Sequence, residues 1–404
     1  MKKILAFVLV CIFAFSLVAC GNNTTEIPTT EPETAEEPNT VSSGSTIKAG
    51  LICLHDENSG YDANFITAFK NACEATGVEA VVKTLVGENS EAYEAASMLA
   101  DDGCSVVFAD SYGHQQFILQ AAQEYPNTQF TSCTGDMANS AGVENYHNAF
   151  ATIFQGRFLA GIAAGLKLNE MIEDGKITPD EAIMGYVGAL PYAEVISGYT
   201  SFYLGAKYVC PTVTMNVIYT GSWFDETAEK EAANALMNAG AVLISQHADS
   251  MGAPNACESA GVPNVSYNGS TLAACPNSYI ISSRINWEPY FTYAIESVKS
   301  GSNYATDWCG TIDAGSVELT ELNESVAAHG TKDMIESIEK SLLDGSLHVF
   351  DTATWTKDGE MLTSYDKVAF YEGNECIWDG YFHESETRSA PYFDIIIDGI
   401  TILG

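Results

Sequence analysis

Two kinds of apolar pattern alternate along the chain after residue 47. Short apolar runs, such as residues 105–109 and 241–244, have the length of buried strands. Between such runs lie longer segments, such as 90–101 and 227–239, in which apolar residues recur every three or four positions, as in helices with one buried face. Because these segments follow one another with short connections, the pattern predicts an α/β fold with parallel sheets flanked by helices.

The alternation runs through two successive series, and each series predicts one lobe. The first ends near residue 146, and the second begins after a helix predicted over 153–166. Ligands of open parallel sheets bind beyond the carboxyl ends of the strands, so we expect a ligand cleft between the lobes. The expected division gives an N-terminal lobe of residues 47–146 and about 268–310, and a C-terminal lobe of residues 147–267 and about 311–404.

Residues 1–19 are predicted to be an export signal. Two lysines precede an almost wholly apolar run over 4–18, which is short for a membrane-spanning helix. The string LVAC, which ends at Cys20, resembles the lipobox of bacterial lipoproteins, in which cleavage before the cysteine is followed by its acylation. We therefore expect an extracytoplasmic protein that a lipid on Cys20 holds at the cell membrane.

Residues 20–46 are predicted to form a disordered linker. They contain no basic and no aromatic residue and are rich in Thr, Glu, Asn, Pro and Ser. Such a segment cannot bury enough apolar surface to offset the conformational entropy that folding would remove. It would act as a tether between the lipid and the folded body.

Charge and motif content narrow the classes of function. The formal net charge of −36 repels nucleic acid, which is therefore not an expected partner. The eleven cysteines are scattered without metal-site spacing, and one or two disulfides remain possible. No Gly-x-Ser-x-Gly elbow or phosphate-binding loop is present, so we expect neither an enzyme nor a cofactor or metal.

Residues 219–250 hold the strongest candidates for a binding site. A short loop carries Trp223, and the strand that follows the predicted helix ends in His247 and Asp249. An indole ring and hydrogen-bonding groups thus occur in one loop–helix–strand unit. Trp223 either stacks on a ligand or anchors its loop. A buried histidine alone would be structural, but its pairing with Asp249 at a strand end favours a site.

Further candidates lie where predicted strands end or helices begin. Each also has a structural interpretation: a carboxylate can brace a loop or cap a helix, an asparagine at a crossover can serve the hinge, and an aromatic ring can pack in the core. These candidates are Asp56, Tyr61, Phe65, Asp110, Ser111, Asn268 and Trp287.

Five strings carry a family resemblance: IKAGLICLHDENSGYDANF, FQGRFLAGIAAG, GYVGALPYAEVISGYTSFYLGAKYVCP, VIYTGSWFDETAEKEAANALMNAGAVLISQHADS and SRINWEPYF. Together they resemble the basic membrane protein family, also called PnrA-like, of substrate-binding lipoproteins with the type I periplasmic-binding-protein fold. The resemblance covers nearly all of the body from residue 47 to about 345. The first loop departs from the commoner family string, in which Ser-Phe-Asn follows an aspartate-containing turn.

The resemblance implies roles for particular residues. Trp223 would stack on a purine base from one lobe, and Tyr61 or Phe65 from the other. His247 and Asp249 fit a subgroup that prefers a base over a nucleoside.

The resemblance also implies a function: the monomeric receptor of an ABC importer, which captures a purine nucleoside or purine base and passes it to a membrane permease. Two alternatives remain open. A sugar or small signal molecule could occupy the same cleft, because sugar sites also combine aromatic faces with Asp and Asn. His247 and Asp249 could also serve as acid and base in a nucleoside hydrolase.

Overall fold

The structure is a computed structural model that describes residues 47–368 and 371–403. The predicted export signal, Cys20 and the linker lie outside the described residues. None of the helices within the described ranges combines the length and apolar character that crossing a bilayer requires. The cysteines from Cys53 to Cys376 in these ranges are free thiols.

The first part of the body alternates strands with helices, as the apolar pattern predicts. The strands are short and mostly buried, and several helices begin at a side-chain cap. In chain order the elements are β1 (Lys48–Ile52), α1 (Gly60–Thr76), β2 (Glu79–Lys83), α2 (Ser90–Asp101), β3 (Cys104–Ala109), α3 (Gln115–Glu124), β4 (Gln129–Cys133), α4 (Ala138–Ala141) and β5 (Tyr146–Ala151).

The second part repeats this alternation and then returns toward the first. It contains one long helix of small and apolar residues, followed by a new βα series. Its elements are α5 (Ile153–Glu173), β6 (Ile183–Gly188), α6 (Ala193–Val209), β7 (Thr214–Tyr219), α7 (Glu226–Asn238), β8 (Leu243–His247), α8 (Gly252–Ala260), β9 (Asn264–Tyr267), β10 (Tyr279–Ile285) and α9 (Glu288–Ser300).

The last part adds edge strands and one helix. It supplies one strand to one main sheet, two strands to the other, and one small hairpin. The elements are β11 (Asp307–Gly310), β12 (Val317–Leu319), α10 (Thr331–Leu343), β13 (Ile377–Trp378), β14 (Tyr381–Phe382) and β15 (Ile400–Ile402).

Two parallel sheets confirm the predicted α/β fold. The first has the order β11-β5-β4-β3-β1-β2, with every neighbouring pair parallel. The second has the order β12-β10-β9-β8-β6-β7-β15, in which only β12 is antiparallel to its neighbour. Helices flank both sheets, and the sheets form the two lobes.

The chain crosses from one sheet to the other at later residues than the expected division gives. β5 pairs with β4 in the first sheet, although the division ends the N-terminal lobe at residue 146. β10 pairs with β9 in the second sheet, although the division gives 268–310 to the N-terminal lobe. The return to the first lobe comes after β10, where α9 packs against α1 and β11 pairs with β5.

Helices α5 and α6 form the closest helix packing of the second lobe. A Cβ added to Gly161 would overlap the carbonyl oxygen of Phe202, and one added to Gly205 would overlap that of Phe158. The absence of these side chains therefore lets the two backbones touch. The N-terminal end of α6, which carries Glu194, reaches the cleft.

Candidate ligand-binding site

A cavity lies at the carboxyl ends of both sheets, where ligands of parallel α/β sheets bind. Its volume is about 20 Å³ in this closed form, so a ligand larger than water would enter only when the lobes open. The first lobe contributes residues that follow β1, β3 and β4, and the second lobe contributes residues that follow or end β6, β7, β8 and β9. The lining residues are Tyr61, Ser111, Tyr112, Thr134, Glu194, Trp223, His247, Asp249 and Asn268.

Contacts across the cleft show that the lobes are closed on this cavity. The backbone N–H of Gly60, in the first lobe, donates to the carbonyl oxygen of Asp249, in the second, at 3.3 Å. The ring centroids of Tyr112 and Tyr192, one from each lobe, lie 5.8 Å apart. A ligand in the cavity would therefore touch both lobes at once.

Trp223 is held at the cavity by its loop. The N–H of Asp249 donates to the carbonyl oxygen of Trp223 at 2.9 Å, which ties the loop to the end of β8. Asp225 ends the loop by capping α7, since its carboxylate accepts from the N–H of Ala228 at 2.9 Å. The half-buried indole lies 6.0 Å from the ring of Tyr192, at an angle of 56°. The fixed loop thus presents an aromatic surface to the cavity.

Tyr61 supplies the aromatic surface of the first lobe. Its hydroxyl donates to the carbonyl oxygen of Asp110 at 2.5 Å, and its ring packs against Phe65 with centroids 4.9 Å apart. Both ends of the side chain are therefore fixed. Aromatic rings from both lobes line one small cavity, which suits a flat ligand.

His247 and Asp249 supply hydrogen-bonding groups whose pKa values are shifted by burial. Burial lowers the pKa of His247, although the carboxylate of Glu194, 3.4 Å from Nε2, opposes this effect. Burial also raises the pKa of Asp249 well above its usual value, and the nearby carboxylates of Asp62, Glu229 and Glu194 add to it. A carboxyl group in this state gains from any ligand that donates a hydrogen bond to it.

The electrostatics of the cavity disfavour an anion. No lysine or arginine is among the described residues that line it, whereas Glu194 and Asp249 are. Asn268, held at a positive φ of 64°, places its side-chain amide 3.5 Å from the Asp249 carboxylate. The cavity therefore suits a neutral ligand that offers both donors and acceptors.

Arg157 lies behind the second-lobe residues that line the cavity and contacts them through Tyr267. It is fully buried, and Nη2 donates to the Tyr186 hydroxyl at 2.8 Å and to Ser245 Oγ at 3.0 Å. Its guanidinium carbon lies 4.8 Å from the ring centroid of Tyr267, which in turn lies 4.5 Å from that of His247. The charge of Arg157 helps to lower the pKa of His247.

The structure brings six predicted site residues to the cavity: Tyr61, Ser111, Trp223, His247, Asp249 and Asn268. It places the other four elsewhere. Asp56 braces the first loop by accepting from the N–H of Asn58 at 3.0 Å, and Asp110 is fully buried and accepts from the N–H of Leu54 at 3.1 Å. Phe65 and Trp287 stack in the core of the first lobe, with centroids 4.4 Å apart.

Sequence reasoning missed Tyr112, Thr134 and Glu194. Each comes shortly after a strand that points at the cavity, namely β3, β4 and β6. The rule that singled out Asp249 could have found them, because they occupy the same edge of their sheets.

One group of described side chains has the composition of a metal site. Cys53, Asp62 and Asp110 have potential ligand atoms within 4.8 Å of one another, and all three are buried. Burial raises the pKa of Cys53 and of Asp110 well above their usual values. Burial also acts to raise the pKa of Asp62, but hydrogen bonds from His55 and Ser59 outweigh burial and lower that pKa.

Comparisons with known proteins bear on the family and the fold of the chain. Residues 54–347 match the family model described as "ABC transporter substrate-binding protein PnrA-like". A Haloferax volcanii protein, provisionally named an ABC transporter glucose-binding protein, is 30% identical over 276 residues, which span 68% of this chain and 66% of that protein. A purine-binding protein of Brucella abortus is 28% identical over 323 residues, which span 78% of this chain and 88% of that protein.

A similar fold occurs among solved structures. An ABC transporter solute-binding protein from Conexibacter woesei superimposes with a TM-score of 0.61 and covers 75% of this chain and 98% of its own. The sequence identity is 19%, so this likeness bears on the fold alone.

Proposed function

The chain belongs to the PnrA-like family of ABC transporter substrate-binding proteins, and from this premise we propose that it captures a purine base or purine nucleoside between its lobes and delivers it to the permease of an ABC importer. The observation that carries the proposal is the closed cavity that Tyr61 of the first lobe lines together with Trp223, His247 and Asp249 of the second. The purine-binding relative from Brucella abortus supports the same ligand class.

The faces of a purine suit the rings of the cavity. A planar heterocycle between aromatic side chains buries apolar area on both sides and gains dispersion energy. Tyr61 and Trp223 come from different lobes, so such a ligand would hold the lobes together. Ligand binding and lobe closure would then be one coupled event.

The edges of a purine suit the polar groups. A ring N–H or an exocyclic amine can donate to Asp249, and the Asn268 amide and His247 can complete the remaining hydrogen bonds. A purine base or nucleoside is neutral, which suits a cavity whose described lining residues include no lysine or arginine. A nucleotide would bring phosphate charge into a site that already contains Glu194 and Asp249.

A sugar is the second candidate ligand, and one observation favours it. The relative from Haloferax volcanii is provisionally named for glucose binding. Aromatic faces beside a carboxylate and an amide also suit a pyranose ring. The two ligand classes differ in planarity and in the number of hydroxyl groups, so they can be separated by direct titration.

Isothermal titration calorimetry with adenine, guanine, adenosine, guanosine, inosine and glucose tests the proposal. We expect at least one purine to bind with a dissociation constant of about 1 μM or below, with no binding of glucose. Binding of glucose alone would overturn the purine proposal. Chromatography of the titrated nucleosides would reveal any release of free base, which would indicate a hydrolase instead.

We further propose that the protein is a monomeric lipoprotein on the extracytoplasmic face of the membrane, anchored through Cys20. A Cys20→Ser variant is expected to lose the acylation site, so a labelled fatty acid fed to the cells should mark the wild type and not the variant. Autoradiography of the two purified proteins measures the label. A wild-type protein that takes up no fatty acid would refute the anchor.

A further inference from the structure

The chain continues past the family match and builds part of the cleft. The match ends at residue 347, and the described residues of 349–403, here called the C-terminal segment, pack on the second lobe. Phe350 and Phe393 stack in its core with ring centroids 4.2 Å apart. The segment ends in β15, which pairs in parallel with β7.

The C-terminal segment also reaches the first lobe. Nη1 of Arg388 lies 3.7 Å from Oδ2 of Asp136, which follows β4, and these side chains are 11% and 14% exposed. The N–H of Ser389 donates to the carboxylate of Asp307, at the start of β11, at 3.0 Å. One short stretch of the segment therefore connects the second lobe to two strand ends of the first.

Contacts within the C-terminal segment fix the orientation of the Arg388 side chain independently of Asp136. Its Nε donates to the carbonyl oxygen of Ala390 at 3.3 Å, and Nη2 donates to that of Pro391 at 3.4 Å. The guanidinium carbon lies 5.4 Å from the ring centroid of Tyr392. Such a side chain has little freedom left to lose when it forms an ion pair.

Asp136 connects Arg388 to the ligand cavity. Its Oδ2 accepts from the hydroxyl of Tyr112 at 3.3 Å, and Tyr112 lines the cavity. Arg388 and Asp136 also border an open compartment of about 500 Å³, which shares Tyr112, Thr134 and Glu194 with the cavity. The ion pair thus lies on the wall of the cleft itself.

We propose that Arg388 is a positioning residue for ligand capture: its ion pair with Asp136 fastens the C-terminal segment to the first lobe in the closed form. This inference rests on the proposed function, because its consequence is tighter ligand binding. Opening the cleft would separate the two charges, so the ion pair exists only in the closed form. Loss of either partner therefore leaves the other charge unpaired in the closed form and destabilises that form relative to the open one. The population of the binding-competent form then falls, and the apparent dissociation constant rises in proportion.

The Asp136→Asn variant is the first test, because it leaves every bond of Arg388 to its own segment intact. We expect it to weaken binding of the purines of the calorimetric panel about 10-fold, through faster dissociation in stopped-flow measurements. Arg388→Met should do the same. The exchanged pair Asp136→Arg with Arg388→Asp should recover part of the affinity.

Arg284→Met is the matched control. Arg284 pairs with Glu318 at 2.8 Å, but this pair joins neighbouring strands of the second sheet and does not cross the cleft. We expect its affinity to equal that of the wild type. Wild-type affinity in Asp136→Asn and Arg388→Met would overturn the proposal, and so would an equal loss in Arg284→Met.

Small-angle X-ray scattering separates failure of this inference from failure of the proposed function. If no purine binds the wild type, the purine proposal fails. The role of the ion pair in closing the lobes can still be tested by measuring the radius of gyration of the ligand-free protein. A larger radius of gyration in both variants than in the wild type and Arg284→Met supports the fastening role. If both variants have the same radius of gyration as the wild type, the proposed fastening role is overturned.

Discussion

The Trp223→Ala variant is expected to bind purines about 100-fold more weakly than the wild type. The substitution removes an indole face from a closed cavity, and the loss of a buried aromatic surface is worth roughly 2–3 kcal/mol, which corresponds to a factor of about 100. The loop itself should persist, because its tie to β8 runs from the Asp249 N–H to the Trp223 carbonyl oxygen, both backbone groups. Calorimetry with the purine panel measures the change.

Two further variants make this result specific. Trp223→Phe retains a flat apolar face and should lose only about fivefold in affinity. Trp378→Ala removes an indole that is 37% exposed on β13, outside the cavity lining, and should bind as the wild type does. An unchanged dissociation constant for Trp223→Ala, or an equal loss for Trp378→Ala, would remove Trp223 from the site.

Much of the fold follows from local sequence signals, as α7 illustrates. The helix predicted over 227–239 is observed as Glu226–Asn238, because Asp225 caps its start and Gly240, with a positive φ of 96°, follows its end. Helix α8 (Gly252–Ala260) is not among the helices predicted from the sequence, and Pro254 lies inside it. Pro254 is in the first turn, where the backbone N–H has no partner within the helix, so proline is tolerated there.

Site residues at strand ends could be predicted from the sequence. Site residues on helices could not, because the exact start of a helix determines which side chains face the cavity. His247 and Asp249 follow an apolar run, which places them at the cleft edge from sequence alone. The apolar pattern predicts a helix over 65–76, but helix α1 begins at Gly60, so Tyr61 and Phe65 fall on one face. Tyr61 then reaches the cavity, while Phe65, one turn deeper, packs in the core.

Long-range partners were beyond sequence reasoning altogether. Glu194 begins a helix and His247 ends a strand, and only the fold brings their side chains within 3.4 Å. The same holds for Arg388 and Asp136, which come from opposite lobes. Such pairs depend on tertiary packing, which no local periodicity encodes.

The Asp249→Asn variant is expected to bind purines about 50-fold more weakly and yet to be more stable than the wild type at neutral pH. Burial raises the pKa of Asp249 well above its usual value in the folded protein. In the unfolded chain the same carboxyl ionises near pH 4, at about 3.9. As the pH rises from there toward the raised pKa, ionisation favours the unfolded chain, so Asp249 progressively lowers the free energy of unfolding. An amide does not ionise and escapes this loss.

Urea unfolding across pH, together with calorimetry, measures both effects. Below about pH 4 the wild type and Asp249→Asn should be equally stable, because the carboxyl is neutral in both states. At pH 7 to 8 the variant should unfold at a higher urea concentration. Asp56→Asn, which alters a loop carboxylate outside the cavity, should leave purine affinity unchanged. Equal stability of Asp249→Asn and wild type at every pH would show that this carboxyl is well solvated in the free protein, and undiminished affinity would show that it does not contact the ligand. The combination of higher stability with lost binding is specific to a carboxyl group that the protein buries for its ligand, since a residue that only supports the fold would lose both together.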